Sequence, residues 1–149
     1  MNDFELLEKA IALAVDAHRG QRDRYGAPYI LHPLRVMSRV TSIQEKTVAI
    51  LHDVVEDTNW TFEDLKREGV PDLLLAALDC LTKREGEEYE DSVKRSEANL
   101  MARQVKLADL EDNMDLRRMP EVTAKDTARL AKYVKAWKRL ANSSCEGGR

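Results

Sequence analysis

The segment LHDVVEDT (51–58) constrains this chain more than any other stretch. It pairs His52 with Asp53 and, within the next turn, Glu56 with Asp57. Residues three and four apart share one face of a helix, so these ionisable groups are expected to converge among apolar neighbours. Carboxylates beside a core destabilise a fold unless another charge compensates them. A divalent metal ion is the simplest such charge, and the segment therefore predicts a metal-dependent hydrolase site.

Helical spacing of apolar residues runs through nearly every segment, and no segment alternates as a strand would. One long irregular loop, GQRDRYGAPYILHP (20–33), precedes the second helix. A third helix is expected from near Ile43 to Val55. Apolar residues at helical spacing include Phe4 and Val15 in the first helix and Val134 in the last, and Leu73 of the fifth helix is expected to be buried. We expect an all-α, single-domain bundle of about seven to eight helices over residues 1–142, followed by a disordered tail at 143–149.

Composition excludes several classes of protein. The 149 residues carry a formal net charge of −3, whereas a general nucleic-acid-binding protein is normally basic. No apolar run approaches the roughly 20 residues that span a bilayer, and acidic residues interrupt the start where a signal peptide is apolar. Two cysteines do not make a disulfide framework. We expect a cytoplasmic protein with neither nucleic acid nor membrane as a partner.

Histidine is scarce, with only three in the chain, and each one is therefore informative. His32 stands at a loop–helix junction, and Asp109 lies in the largely apolar helical stretch VKLADLEDN. If these two residues meet His52 and Asp53, together they supply two imidazoles and two carboxylates. Such a set suits manganese, iron, cobalt, nickel or zinc, and it leaves positions for water and phosphate oxygen.

Each of these groups also has a purely structural interpretation. His52 and Asp53 alone would suit a polar helix surface, and Asp109 could form a surface salt bridge. His18 is expected to be a hydrogen-bonded core or loop residue, or to support the site indirectly. The combination of all the groups in apolar contexts favours the metal site.

Five motifs occur in a specific order: AHRGQ (17–21), GAPYILHP (26–33), AILHDVVEDT (49–58), LTK (81–83) and VKLADLEDNM (105–114). This order resembles the hydrolase domain of Rel/Spo alarmone enzymes. More closely, it resembles the stand-alone small alarmone hydrolases of the His-Asp (HD) phosphohydrolase superfamily. The resemblance covers roughly residues 5–140 and implies an all-α bundle, as the apolar spacing does independently.

The resemblance implies one divalent metal ion, usually manganese, held by His32, His52, Asp53 and Asp109. It implies that Glu56 and Asp57 act on the nucleophilic water or the scissile phosphate. Asn113 matches a residue that contacts the nucleotide sugar, and Tyr133 matches an aromatic residue near the base. The implied reaction removes the 3′-pyrophosphate of guanosine tetra- or pentaphosphate, (p)ppGpp.

Positive side chains are expected to hold the rest of a phosphorylated substrate. Arg22 and Arg24 in the irregular loop and Lys106 beside Asp109 are the candidates. A solvated loop is the competing interpretation for the two arginines. The basic pairs at 83–84 and 117–118 are interpreted as surface charge.

Two departures from the family pattern concern the substrate. Asp23 stands where the family carries a basic residue, and Glu111 and Asp112 stand where relatives often have basic or aromatic residues. An acidic rim would repel a highly phosphorylated ligand unless these side chains point outward. The metal site is intact, whereas the purine site could be retuned.

Other functions remain open at this stage. One is a phosphatase for another nucleotide, such as the 2′-phosphate of NADPH or a nucleoside monophosphate. Another is a non-catalytic nucleotide or metal sensor, although Glu56 and Asp57 argue for turnover. A dinuclear cyclic-dinucleotide phosphodiesterase would need further histidines. No alarmone synthetase domain fits in this length, and a homodimer is left open.

Overall fold

The computed structural model describes the backbone of residues 1–147 and the side chains of residues 1–143. Within that range the chain forms nine α-helices and one 3₁₀ helix. The α-helices are α1 (Asp3–Ala17), α2 (Leu31–Ser38), α3 (Ile43–Leu51), α4 (Val54–Asp57), α5 (Phe62–Arg67), α6 (Asp72–Leu81), α7 (Tyr89–Glu97), α8 (Leu100–Asn113) and α9 (Ala124–Gly147). The 3₁₀ helix spans Leu116–Arg118. An isolated bridge between Arg22 and Pro28 is the one β-type pairing in residues 1–147, so the all-α prediction is confirmed.

Several helices begin where the sequence supplies a side-chain cap. Asn2 accepts a hydrogen bond from the backbone N–H of Glu5 at 2.9 Å, and Glu5 accepts one from the N–H of Asn2 at 2.8 Å. Thr61 and Asp64 form the same reciprocal arrangement at the start of α5. These bonds satisfy N–H groups that have no partner inside the helix.

Helix α3 lies at the centre of the fold, where it packs against α1, α2, α6 and α8. Its residues 47–51 are all almost fully buried. A smaller apolar cluster joins α7, α8 and α9 through Val93, Leu110, Ala136 and Leu140. Helix α8 contributes to both clusters, and Asp109 therefore lies in it between two apolar cores.

The predicted third helix is broken at His52 and Asp53, which form a turn between α3 and α4. In a continuous α-helix the N–H of Asp53 would donate to the carbonyl of Ala49. Here that carbonyl lies 2.6 Å from the imidazole Nδ1 of His52 and also accepts the backbone N–H of His52. This break accounts for one helix beyond the predicted seven to eight.

Four apolar residues placed at helical spacing are exposed: Phe4 (65%), Val15 (39%), Leu73 (61%) and Val134 (41%). For Leu73 the expected burial is wrong. In α1 the buried positions are Leu6, Ala10 and Ala14, which follow one another at intervals of four. Phe4 and Val15 lie off this row. The periodicity predicted the helix correctly but misassigned part of its buried face.

Helix α9 continues to Gly147, beyond the predicted domain end at residue 142. Residues 148–149 lie outside the described part of the chain, and the prediction of a disordered tail at 143–149 stays a prediction. None of the helices described in residues 1–147 is both long and apolar enough to cross a membrane.

Candidate metal centre

A cavity of about 360 Å³ opens where α2, the turn between α3 and α4, and α8 meet. Every residue predicted for the site lines it: Arg22, Arg24, His32, His52, Asp53, Glu56, Asp57, Lys106, Asp109, Asn113 and Tyr133. Further lining residues were not predicted as site residues, among them Tyr29, Lys83, Tyr89, Arg118 and Lys132. The chain thus gathers segments from residue 22 to residue 133 around one cavity.

Four side chains meet at the floor of this cavity, and we call them the metal cluster: His32, His52, Asp53 and Asp109. Nε2 of His32 lies 2.9 Å from Oδ1 of Asp109 and 3.7 Å from Oδ2 of Asp53. Nε2 of His52 lies 3.0 Å from Oδ2 of Asp53 and 3.4 Å from Oδ1 of Asp109. Both imidazoles therefore face the same two carboxylates.

The second nitrogen of each imidazole is already bonded. Nδ1 of His52 donates to the carbonyl oxygen of Ala49, and Nδ1 of His32 lies 2.6 Å from a carboxylate oxygen of Asp112. Because each Nδ1 carries the proton in a neutral ring, each Nε2 presents a lone pair to the metal cluster. A histidine whose other nitrogen is held by a carboxylate or carbonyl is typical of metal ligands.

The electrostatics of the metal cluster call for a cation. Nε2 of His52 is buried and makes no well-aligned hydrogen bond to the described residues. Burial alone would lower the pKa of His52, yet the carboxylates of Asp53 and Asp109 raise this pKa well above its usual value. Ligand atoms of His32, His52 and Asp109 all lie within 4.8 Å of one another. The donor set thus fits a single divalent ion.

The sequence left open whether Asp112 lies on an acidic rim or points away from the ligand, and its side chain does not line the cavity. Its side chain is fully buried, accepts hydrogen bonds from Arg35 at 2.7 Å and Arg118 at 3.0 Å, and contacts His32. Although burial alone would raise its pKa, the bond to His32 and then Arg35 hold the pKa of Asp112 at about 2. The carboxylate therefore orients His32 and does not face a ligand.

Glu111 also points away from the cavity. Its carboxylate accepts a hydrogen bond from the indole Nε1 of Trp137 at 3.3 Å, and it is not among the cavity-lining residues. Neither acid of this pair can therefore repel a ligand at the cavity rim.

Asp23 lines the cavity but is engaged by its own loop. It accepts the backbone N–H groups of Tyr25 at 2.9 Å and Ala27 at 3.0 Å. Arg118 approaches its other carboxylate oxygen at 3.3 Å. Arg118 is thus a partly buried bridge between Asp23 and Asp112, and its interpretation as surface charge is wrong.

Glu56 and Asp57 stand beside the metal cluster on α4. Burial raises the pKa of Glu56, whose Oε1 accepts the backbone N–H of Lys83 at 2.7 Å. Burial, followed by repulsion from Asp53 and Glu56, raises the pKa of Asp57 to about 6. A carboxyl group with such a pKa can exchange a proton near neutral pH.

Tyr29 connects the metal cluster with Asp57. Its hydroxyl donates to Oδ2 of Asp53 at 2.5 Å and lies 3.3 Å from Oδ2 of Asp57. His18 supports the same region as a buried core residue, because its Nδ1 bonds Gln21 at 2.9 Å and Gln21 donates to the carbonyl of Asp57. Tyr29 lies three residues before His32 in the motif PYILHP, and this spacing could have identified Tyr29 as a neighbour of the metal cluster.

Some of the predicted substrate residues are bonded to Asp109, whereas others are exposed at the cavity. Lys106 is paired with Oδ2 of Asp109 at 2.9 Å. Asn113 donates to Oδ1 of Asp109 at 3.2 Å and lies 3.3 Å from Arg118. Arg22 and Arg24 are exposed at the cavity, and Tyr133 is half-buried. The structure brings these residues together around the cavity.

Comparison with known proteins points in one direction. The chain is 33% identical over 127 residues to the Escherichia coli bifunctional (p)ppGpp synthase/hydrolase SpoT, a match that covers 76% of this chain and 18% of that protein. It is 41% identical over 69 residues to the Danio rerio guanosine-3′,5′-bis(diphosphate) 3′-pyrophosphohydrolase MESH1, covering 41% of this chain and 38% of that one. No protein-family model matches the chain.

A solved structure is similar over almost the whole fold. It belongs to a metazoan ortholog of SpoT that is described as hydrolyzing ppGpp and playing a role in starvation responses. The TM-score is 0.73 with 26% identity, and the match covers 91% of this chain and 84% of that one. By contrast, the chain spans 8% to 18% of the length of the long curated relatives it matches.

Proposed function

Because the chain belongs to the family of small alarmone hydrolases and Rel/Spo hydrolase domains in the HD superfamily, we propose that it hydrolyses (p)ppGpp. The reaction joins a water oxygen to the 3′ phosphorus and breaks the bond between that phosphorus and the ribose 3′ oxygen. The products are pyrophosphate and a guanosine 5′-di- or triphosphate, and the proton lost by the water balances the charge on the 3′ oxygen.

The convergence of the metal cluster is the observation that carries this proposal. Two imidazole Nε2 atoms and two carboxylates from three separate segments face a common point at the floor of the cavity. Buried carboxylates are costly without compensating charge, and a divalent ion between the two imidazoles would supply it. We propose that His32, His52, Asp53 and Asp109 hold one divalent ion and that this ion is manganese.

A bound divalent ion would lower the pKa of a water molecule and neutralise charge on the phosphoryl oxygens. The protein side chains would position that water and transfer its proton. Glu56, fixed by the N–H of Lys83, is oriented to position the attacking water. Asp57, with a pKa of about 6 in the protein alone, is suited to accept and return a proton.

The nucleoside is proposed to lie along the part of the cavity lined by Arg24, Asn113 and Tyr133, with Arg22 at its entrance. Asn113 presents an amide to a ribose hydroxyl, and Tyr133 presents an aromatic ring to the base. Lys106 faces phosphate oxygens while it stays paired with Asp109. These assignments rest on the family pattern and on the shared cavity.

Product analysis tests the function directly. Purified protein is incubated with guanosine tetraphosphate and manganese, and the products are resolved by anion-exchange chromatography, with a chelator-treated sample as control. We expect pyrophosphate and GDP in a one-to-one ratio, and no product with chelator. Orthophosphate alone, or an unchanged substrate, would reject the proposal.

The alternative of a phosphatase for another nucleotide was motivated by Asp23 and the Glu111–Asp112 pair. Asp23 closes its own loop, Asp112 orients His32, and Glu111 bonds Trp137. Glu111 and Asp112 therefore do not face the ligand, and the carboxylate of Asp23 is already engaged by its loop and by Arg118. Parallel assays with NADPH and nucleoside monophosphates decide between hydrolysis of (p)ppGpp and phosphatase activity on another nucleotide.

Predictions about the wider context stay predictions. Size-exclusion chromatography with light scattering tests the homodimer, and a cell fractionation tests the cytoplasmic location. Titration with DNA and RNA tests the expected absence of nucleic-acid binding.

A further inference from the structure

Arg95, in helix α7, bonds more distant parts of the chain than a surface arginine does. Arg19 and Arg67 each pair with an aspartate three residues away. Arg95 instead donates to groups that are between 8 and 16 residues away in the sequence. Its side chain is only 19% exposed, and it does not line the cavity of the metal cluster. Arg95 therefore acts on the protein itself and not on a ligand.

All three nitrogen atoms of the Arg95 guanidinium donate hydrogen bonds. Nε and Nη2 donate to the two carboxylate oxygens of Glu87, each at 2.6 Å. Nη1 donates to the carbonyl oxygen of Asp79 and Nη2 also to that of Thr82, both at 2.7 Å. The planar guanidinium has a fixed geometry, so these bonds hold the end of α6 and the loop after it in one arrangement.

Helix α6 ends in a way that releases the backbone N–H of Lys83. In a continuing α-helix this N–H would donate to the carbonyl of Asp79, four residues earlier. Arg95 occupies that carbonyl, and the N–H of Lys83 donates to Oε1 of Glu56 at 2.7 Å. A backbone donor at the end of α6 is thus directed to an acid beside the metal cluster.

The carbonyl of Thr82 and the N–H of Lys83 belong to one trans peptide group. Because this group is planar, its oxygen and its N–H point in opposite directions. Arg95 bonds the oxygen, and Glu56 accepts the N–H. A cation that donates to the oxygen also polarises the group and strengthens its N–H as a donor. We call this connection the arginine bridge: Arg95, the peptide group between Thr82 and Lys83, and Glu56.

Glu87 holds the other side of the same loop. Its Oε1 accepts the backbone N–H of Arg84 at 3.1 Å, and its own N–H donates to the carbonyl of Arg84 at 3.1 Å. Arg84 directly follows Lys83, whereas Thr82 directly precedes it. The Lys83 N–H is therefore flanked by two anchored residues, and the direction in which it donates is restricted.

We propose that Arg95 is a positioning residue for hydrolysis: through the peptide group between Thr82 and Lys83, it orients the carboxylate of Glu56 for the attacking water. One carboxylate oxygen accepts the N–H, and the other is left to accept a hydrogen bond from water. The inference rests on the proposed function, because it specifies how Glu56 is held during that reaction. It gives a role to a residue outside the cavity.

The first experiment measures kcat and KM separately with guanosine tetraphosphate and manganese. We expect Arg95→Ala to lower kcat about tenfold and to change KM less than about twofold, because Glu56 is misplaced while the residues that face the substrate remain. Arg95→Lys keeps the charge but not the planar fork, and its kcat should lie between those of Arg95→Ala and the parent. Arg139→Ala is the matched control, because it removes an arginine–glutamate bond to Glu97 of the same helix α7, away from the cavity.

Thermal unfolding shows which variants are folded at the assay temperature. If Arg95→Ala is unfolded there, Arg95→Lys replaces it in every comparison. A folded Arg95 variant with the kcat of the parent would overturn the proposal, and so would a fall in kcat of the same size in Arg139→Ala.

Combination with Glu56→Gln tests the route of the effect. Because the arginine bridge acts through Glu56, we expect Arg95→Ala to lower kcat less than about twofold once residue 56 is already substituted. Glu87→Gln leaves the guanidinium of Arg95 on the Thr82 carbonyl, so its kcat should fall less than that of Arg95→Ala. Effects of Arg95→Ala and Glu56→Gln that multiply would mean that Arg95 acts independently of Glu56, and would overturn the proposal.

The second experiment needs no turnover. Amide hydrogen exchange of Lys83 is followed by NMR on the full chain without manganese, because a paramagnetic ion broadens nearby signals. We expect exchange to be about tenfold faster in Arg95→Ala than in the parent, and unchanged in Arg139→Ala. The same exchange rate in Arg95→Ala as in the parent would overturn the arginine bridge.

The two experiments separate this proposal from the proposed function. Hydrolysis of guanosine tetraphosphate with no effect of Arg95 on kcat or on the Lys83 amide would overturn the arginine bridge and leave the proposed function standing. A Lys83 amide that depends on Arg95, in a protein that does not hydrolyse guanosine tetraphosphate, would overturn the proposed function and support the arginine bridge.

Discussion

The metal cluster and two exposed lysines that line the same cavity, Lys83 and Lys132, are built in opposite ways. His32 and His52 are buried, and each has its second nitrogen fixed by Asp112 or by the Ala49 carbonyl. Lys83 and Lys132 are exposed, long and flexible, and an aromatic ring steadies only Lys132. The first region is organised before any ligand arrives, whereas the second can adapt to a ligand. Substitutions in the two regions should therefore differ by orders of magnitude in effect.

Loss of a metal-cluster ligand should have the largest effect. We expect His52→Ala to lower kcat/KM for guanosine tetraphosphate by about 10³-fold or more, because the ion loses one of its two imidazoles. Steady-state kinetics and metal analysis by mass spectrometry should show that activity and bound metal are lost together. Far-UV circular dichroism controls for folding. Full metal content with full activity would contradict the ligand assignment.

Glu56→Gln should reduce kcat by about 10²-fold while the protein keeps its metal. The amide oxygen can still accept the N–H of Lys83, but the second carboxylate oxygen, which can accept a hydrogen bond from the attacking water, is replaced by an NH₂ group that only donates. The measurement is kcat at saturating substrate together with metal content. This variant separates the positioning of the water from metal binding, and a loss of metal here would assign Glu56 to the metal cluster instead.

Asp112→Asn should weaken metal affinity about 10–100-fold, because an amide holds Nδ1–H of His32 less strongly than a carboxylate does. Competition with a fluorescent chelator measures that affinity. Since Asp112 does not line the cavity, kcat at saturating manganese should change much less. An unchanged affinity would show that the orientation of His32 does not depend on this bond.

The loop that carries Lys83 offers the smallest effect and a pH test. Two hydrogen bonds from Arg95 to Glu87, both at 2.6 Å, lower the pKa of Glu87 to about 2, and Arg95 also bonds the carbonyl of Thr82 at 2.7 Å. A folded-state pKa below the unfolded value of about 4.3 means that the pair stabilises above pH ~4 and loses this contribution as the pH falls toward 2.

Thermal unfolding of the parent protein and of Glu87→Gln between pH 7 and pH 2.5 measures this contribution. The parent should unfold at the higher temperature at pH 7, and the difference should shrink on acidification. A difference that stays constant with pH would mean that the charge of Glu87 does not stabilise the loop.

The convergence of the metal cluster was predictable because its four residues are chemically conspicuous. Histidines are scarce, and Asp53 and Asp109 interrupt apolar helical segments. The role of Asp112 could have been found, since it lies three residues after Asp109 and shares its helical face. The break at His52 could not, because the apolar spacing continues through it and only the imidazole–carbonyl bond reveals it.

Two lysines that line the cavity, Lys83 and Lys132, were not predicted as site residues. Lys83 and Lys132 are separated by α7 and α8, and an exposed lysine is ordinarily a solubilising residue. Their convergence depends on the packing of α9 against α7 and α8, which local periodicity does not encode. The same holds for Arg118, whose bonds to Asp23 and Asp112 join distant segments.

The turn at His52 and Asp53 has a consequence for protein engineering. Successive side chains of a regular α-helix diverge by about 100° around its axis, so neighbours in sequence cannot both aim at one atom. If the segment LHDVVEDT were grafted onto an uninterrupted helix, only one of His52 and Asp53 could therefore point at the ion site. A transplant should include the kink and the three residues before His52, so that the backbone oxygen of Ala49 can accept the imidazole N–H.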